Sequence, residues 1–254
     1  MKIATWNVNS IRQRDAHVRR WLDRVQPDLL MLQEIKCETA VFPGFLDVGY
    51  RAEAVGQKTY NGVALLSRVP FEVTHRALPG LPAEDAQARY LEVRALGITL
   101  IGIYLPNGNS GGAAGLAYKL AWMDRLAARA AALLERDEAF AIIGDFNVCP
   151  TDADLAAGAL PADDALVHPA VRARFRLLLW QGLTDAVRAL HPVGQLWTFW
   201  DYQAGAWPRD QGLRIDHALL SPTLAERLAA ALPDRRERGA EQPSDHVPVL
   251  IELR

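Results

Sequence analysis

Two β-sheets packed face to face with helices on their outer sides are the architecture this sequence predicts. Strand-like runs dominate the first half of the chain, they return after two helical stretches in the second half, and candidate site residues sit at strand ends on both sides of those helices. A single parallel sheet fits this clustering less well. Because the site candidates come from both halves, the simplest organisation is one domain spanning 1–254.

The opening KIATWNVN alternates apolar and polar residues as a half-buried strand does. Ser10 is placed to cap a following helix whose apolar stripe is Ile11, Val18, Leu22 and Val25, and Pro27 ends it. LLMLQE from Leu29 reads as a short buried strand, and Tyr60 to Ser67, Tyr90 to Ala95 and Ile98 to Tyr104 read as further strands between Gly and Pro turns. A glycine-rich loop, Gly108 to Gly115, leads into a long helix with Leu116, Leu120, Met123, Ala127, Ala130 and Leu134 on one face. It lacks the GK[ST] ending of a nucleotide-binding P-loop. AFAIIGDFN is a buried strand, Ala156 to Pro169 an irregular connection, and Val171 to Leu190 helical. Strands follow at Trp197 to Tyr202, Leu213 to Leu220 and Val247 to Leu253, the last with Pro248 near its start.

With 254 residues, half of them apolar, the chain can build a substantial core. It has neither the roughly 18-residue apolar run of a membrane span nor the basic and apolar regions of a signal peptide, so a soluble cytoplasmic protein is expected. Cys37 and Cys149 form no CxxC pair and are expected as reduced thiols. A net charge of -2 argues against a protein that coats nucleic acid, though not against an acidic catalytic centre within a basic rim. The arginine clusters 12, 14, 19, 20 and 235, 236, 238 read as solvated faces.

Four strand-like runs end in an acid or amide: Asn7, Glu34, Asp145 with Asn147, and Asp216. One such ending is ordinary turn chemistry, but four, together with Ser244-Asp245-His246 beside the final strand, form a set that turns do not require. Oxygen ligands without paired cysteines or zinc-spaced histidines suit a hard cation such as Mg²⁺, with Glu34 the direct ligand. In GDFN, Gly144 permits close backbone approach, and a period of two puts Asp145 and Asn147 on one side. The carboxylate can take a proton from water and the amide can donate to a phosphate oxygen. His246, charged and oriented by a buried carboxylate, can stabilise negative charge on phosphorus, and Asp216 is the candidate partner. In LWTFWDY, alternation separates Trp197 and Phe199 from Thr198 and Trp200; the segment is either a strand buried on both sides or an apolar pocket or stacking platform for DNA.

Taken in order, TWNVNSIR, LQEIKC, GQKTYNGVALLSR, YLPNGN, KLAWMDRL, GDFNVCP, LRIDHALLS and SDHVPV make the sequence resemble the exonuclease III family of abasic-site endonucleases, within the endonuclease/exonuclease/phosphatase superfamily. The resemblance implies a four-layered α/β/β/α sandwich with the active site at one rim of the paired sheets. It implies Glu34 as metal ligand, with Asn7, Asn9 and Asp245 near the metal, and Asp145 aligning or deprotonating the attacking water. Asn147 and Tyr104 would hold the phosphate, Asn107 would contact DNA beside Tyr104, and Asp216 would orient His246. Phe199 stands where the bacterial pattern commonly has Trp, flanked by Trp197 and Trp200, and this aromatic segment bears on recognition of the abasic sugar.

The expected reaction is Mg²⁺-dependent hydrolysis, with Mn²⁺ as a substitute, of duplex DNA 5′ to abasic sites and at 3′ ends by a monomer. Two alternatives are a superfamily phosphoesterase acting on a non-DNA phosphoester and a catalytically inactive DNA-binding relative.

Overall fold

Side-chain alternation along the central strands sorts the apolar residues into layers. In β1 (Lys2–Asn7), Ile3 faces one core while Ala4 and Trp6 face another; in β2 (Leu29–Gln33), Leu29 and Met31 join the first and Leu30 and Leu32 the second. The same split in β8 (Phe140–Asp145) sends Ala141 and Ile143 to the shared core and Phe140 and Ile142 to a third. The shared core therefore lies between two sheets, and each of the others lies between a sheet and its helices.

The computed structural model describes residues 1–254. Between and beyond those strands lie α1 (Ile11–Val25), β3 (Arg51–Val55), β4 (Val63–Ser67), β5 (Glu72–His75), β6 (Tyr90–Ala95), β7 (Ile98–Tyr104) and α2 (Ala113–Leu134). After β8 come α3 (Pro169–Trp180), β9 (Thr184–Asp185), α4 (Ala186–Leu190), β10 (Asp216–Leu220), α5 (Pro222–Ala225), β11 (Leu228–Pro233) and β12 (Val249–Leu253). One six-stranded sheet has the order β11-β12-β1-β2-β4-β3, the other β5-β6-β7-β8-β10-β9. Each contains one parallel pair, β1 with β2 and β7 with β8, bridged by α1 and α2 respectively; the other pairings are antiparallel. This is the four-layered α/β/β/α arrangement expected. No helix is long and apolar enough to cross a membrane.

Several local expectations are corrected. Ser10 precedes α1 without a side-chain cap: at φ 89° its N–H is drawn to the Glu34 carbonyl at 2.7 Å, because β1–β2 pairing continues past the strand ends. The strand expected from Tyr60 begins only at Val63, after Asn61 and Gly62 adopt positive φ. The helical stretch Val171 to Leu190 breaks at Gly182 (φ 115°) into α3 and α4. Trp197 to Tyr202 is not a regular strand; Phe199 makes only isolated bridges, to Leu213 and His246. Pro248 lies just before β12, as expected. Of the two arginine clusters, Arg14 and Arg238 are buried rather than solvated.

Candidate active site

Strand direction collects the polar strand ends at one rim. Asn7 pairs with Gln33 at the ends of parallel β1 and β2, and Tyr104 pairs with Asp145 at the ends of parallel β7 and β8. Because β10 runs antiparallel to β8, Asp216 sits opposite Asp145 and begins its strand rather than ending it. His246 arrives at the same rim just before β12, which runs antiparallel to β1. Gly144 is required where expected: at φ 149°, a Cβ there would stand 2.0 Å from the Ile103 carbonyl oxygen of the neighbouring strand.

The Asn7 amide spans the two sheets, donating to Glu34 Oε1 at 2.8 Å and Asp145 Oδ2 at 3.0 Å. The His246 ring joins two carboxylates, with Nδ1 2.8 Å from Asp216 Oδ2 and Nε2 3.7 Å from Asp145 Oδ2. The polypeptide supports this pair from several directions. Thr198 Oγ1 accepts from the Ile215 and Asp216 N–H groups at 3.1 Å, Trp6 Nε1 donates to the His246 carbonyl at 3.2 Å, and Ser244 Oγ donates to the Asn7 carbonyl at 2.7 Å.

Burial alone would lower the His246 pKa, but the Asp216 and Asp145 carboxylates outweigh it and raise it, which keeps the ring cationic. Asp145 is shifted up by burial; His246 opposes that shift, and the neighbouring Asp216 and Glu34 carboxylates add to it. For Glu34, burial pushes the pKa up, yet the Lys36 ammonium 2.8 Å from Oε2 and the Asn7 amide hold it below the ordinary range. Tyr104 is raised by burial and then by the Glu34 and Asp145 carboxylates, so its phenol keeps its proton.

Ligand-capable atoms of Glu34, Asp145 and His246 lie within 4.8 Å of one another. Apart from the His246 ring, whose Nδ1 is engaged by Asp216, the donors gathered here are carboxylate and amide oxygens, a set suited to a hard divalent cation. Asn9 and Asp245 border this position: Asn9 Nδ2 donates to Asp245 Oδ1 at 3.0 Å, and Lys36 reaches the Asn9 carbonyl oxygen of the side chain.

Asn147 follows the Phe146 turn in the left-handed region (φ 49°), so continued strand alternation is not what brings it to Asp145. Its own N–H donates to Asp145 Oδ1 at 2.8 Å instead. Its side chain accepts from Asn107 Nδ2 at 3.1 Å and donates to the Leu105 carbonyl at 3.0 Å. Of the aromatic residues singled out, Trp197 and Trp200 are buried in a small cluster with Ala206 and Val247, leaving only Phe199 at the rim. The two tryptophans therefore form no stacking platform. Phe199 packs edge-on against His246, ring centroids 4.9 Å apart, and borders a cavity of about 450 Å³ lined also by Leu160, Gln203, Arg209 and Leu213.

Sequence reasoning missed Lys36, Thr198 and Lys119 as contributors to the site. Lys119 carried a readable signal, since it interrupts the buried stripe of α2 that includes Trp122, Met123 and Leu126. Thr198 carried none, because its role depends on the fold of the irregular segment around Phe199.

A buried histidine held between two carboxylates, beside oxygen donors suited to a hard cation, is an arrangement able to stabilise the charge of a phosphate ester under hydrolysis. The chain belongs to the endonuclease/exonuclease/phosphatase family, whose model matches residues 4–246. It is 32% identical to exodeoxyribonuclease III of Haemophilus influenzae, with 100% of each chain covered. Among solved structures it resembles the 3′-5′ exonuclease NExo of Neisseria meningitidis (TM-score 0.95, 38% identity, covering 100% of this chain and 99% of that one). A variant of the 3′ phosphatase NExo from Neisseria, in a structure bound to product DNA hairpin, matches with TM-score 0.94 and 37% identity, covering 100% of this chain and 99% of that one. An AP endonuclease from Archaeoglobus fulgidus matches with TM-score 0.93 and 35% identity, covering 100% of this chain and 99% of that one.

Proposed function

We propose that this protein is a DNA repair nuclease that hydrolyses the phosphodiester 5′ to abasic sites and removes nucleotides and phosphates from 3′ ends of duplex DNA. The observation that carries the reading is the His246–Asp216 pair at 2.8 Å facing Asp145 at 3.7 Å across the joined rims of the two sheets. In this reading Asp145 orients a water molecule and takes its proton, His246 stabilises charge on the phosphate oxygens, and Asp216 holds the ring. Asn147, Asn107 and Tyr104 donate to the phosphate. Glu34, with Asn7, Asn9 and Asp245 around it, would hold Mg²⁺, or Mn²⁺ in its place. When bound, that cation supplies positive charge against the scissile phosphate. Water oxygen bonds to phosphorus as the bond to the 3′ oxygen breaks, leaving a 3′ hydroxyl and a 5′ deoxyribose phosphate. The cavity beside Phe199 supports recognition of a sugar without its base. The protein would act as a monomer in the cytoplasm, where duplex DNA is its substrate.

The similarity to both NExo and an AP endonuclease supports a second balance of activities, in which 3′-end processing dominates. One experiment decides between them. A duplex carrying a stable abasic analogue and a labelled strand is incubated with Mg²⁺ or with excess chelator, alongside a duplex ending in a 3′ phosphate. A single metal-dependent cut beside the analogue supports the first reading, and an uncut analogue with rapid 3′ processing supports the second. No cleavage of either duplex would overturn both.

A further inference from the structure

Lys119 is fully buried in α2, on a face otherwise made of Trp122, Met123 and Leu126. An ammonium in such a place carries a desolvation cost that an apolar residue would not, so its contacts must repay it. They are specific. Nζ donates to the Asn107 carbonyl at 2.9 Å and to the Asn147 carbonyl at 2.5 Å. These two residues, far apart in sequence, also bond to each other through their side chains at 3.1 Å. The loop carrying Asn107 wraps the lysine stem so tightly that a Cβ at Gly108 would lie 2.7 Å from Lys119 Cδ. Beyond it, Asn109 Oδ1 accepts from the Ala165 N–H at 2.8 Å, closing the far side of the loop.

We propose that Lys119 is a positioning residue for the phosphate-binding amides: by bridging the backbones of Asn107 and Asn147, it fixes the two loops so that both side chains meet the substrate already aligned. The inference rests on the functional reading above, in which those amides hold the scissile phosphate. Burial lowers the Lys119 pKa to about 7, while nearby Asp145 and Asp164 work in the opposite direction. Its hydrogen bonds to carbonyls need only its N–H groups, which either protonation state retains. A misplacement of reacting groups by about 1 Å commonly costs on the order of 100-fold in rate, so the effect belongs in kcat rather than in substrate capture.

The test is steady-state cleavage of the abasic-analogue duplex with Mg²⁺ by wild type, Lys119→Met, Asn147→Ala and the double variant. Lys119→Met should lose roughly 10- to 100-fold in kcat with KM within about threefold, and its penalty should shrink in the Asn147→Ala background to the share that acts through Asn107. A purely structural lysine would instead give penalties that multiply in the double variant, and that result overturns the proposal. So does a folded Lys119→Met with wild-type kcat. If Lys119→Met does not fold, Lys119→Arg decides, with a kcat defect expected that shrinks in the Asn147→Ala background and a fully multiplying defect overturning the inference. Wild-type protein that fails to cleave would instead overturn the functional reading and this inference with it.

Discussion

Two clusters of buried charge lie back to back across β10, and they handle charge in opposite ways. On the face toward α3, Arg214 donates to Asp154 at 2.7 Å and to Asp185 at 2.8 Å, Arg188 adds a second bond to Asp154, and His217 packs against Phe146 and Phe175. Burial would raise Asp154, but Arg214 and Arg188 hold it far below the ordinary range. On the opposite face, Glu34, Asp145, Asp216 and Asp245 gather with Lys36 and His246 as the cations paired to them, while Lys119 acts on Asp145 and Arg238 on Asp245 without an ion pair. Carboxylates and guanidiniums match in the first cluster; in the second, carboxylates outnumber the cations paired with them, and Asp145 is driven upward by burial and then by Asp216 and Glu34. A structural network closes its own charges, whereas the rim leaves a surplus that a divalent cation and a phosphate can complete.

The largest expected effect tests that contrast directly. Asp145→Asn should cut kcat by about 10³-fold, with abasic-duplex affinity nearly unchanged. Its urea midpoint should equal or exceed that of wild type, because a carboxylate disfavoured by burial has been replaced by a neutral amide. A parallel fall in stability and activity would show that Asp145 belongs to a closed structural network after all. Arg214→Met is the converse. It strips the buried Asp185 of its guanidinium and leaves Asp154 to Arg188 alone, and should cost about 3–5 kcal/mol of stability, measured by urea unfolding, while kcat per folded molecule stays within about threefold because the clusters are separate. Loss of activity without loss of stability would break the comparison.

The two clusters were unequally legible in the sequence. Glu34, Asp145, Asn147 and His246 stood at the ends of strand-like runs or beside the final strand, and period-two alternation was enough to send Asn7, Asp145 and Asp216 to the inner face. That Asp216 and His246 touch could not be read, since it depends on β10 and β12 lying in different sheets whose rims meet. Asp154 and Asp185 were invisible because their partner Arg214 reaches them across an irregular connection with no periodicity. Likewise β3, β5 and β11, whose exposed faces dilute the apolar signal, escaped while the fully buried β2, β4 and β8 did not. The aromatic segment left two readings open, burial and a face toward the substrate: its tryptophans build the wall behind the rim, while Phe199 reaches it against His246 and Tyr202 meets Asn9.

The two histidines offer the subtlest test, because the same side chain is shifted in opposite directions on either side of β10. His217 is pushed down to about 4 by burial and by the Arg214 guanidinium 3.0 Å from Nδ1, and its Nε2 bonds to the Val148 carbonyl at 2.9 Å. A folded-state pKa below the unfolded value near 6.5 stabilises the protein above that value, and the contribution is lost as pH falls from about 6.5 toward 4. Between pH 7 and pH 5 it should amount to about 2 kcal/mol. His246, raised by Asp216 and Asp145, has the opposite sign: its contribution is complete below about pH 6.5 and is lost as pH rises through the folded value. Urea unfolding in chelator across this range, with each imidazole followed by NMR, separates the two. A His217 that titrates near 6.5 would remove the asymmetry; a low His217 beside a His246 still protonated above pH 7 would show that the two faces of one strand hold their histidines in opposite charge states, as the surplus of carboxylate on the inner face requires.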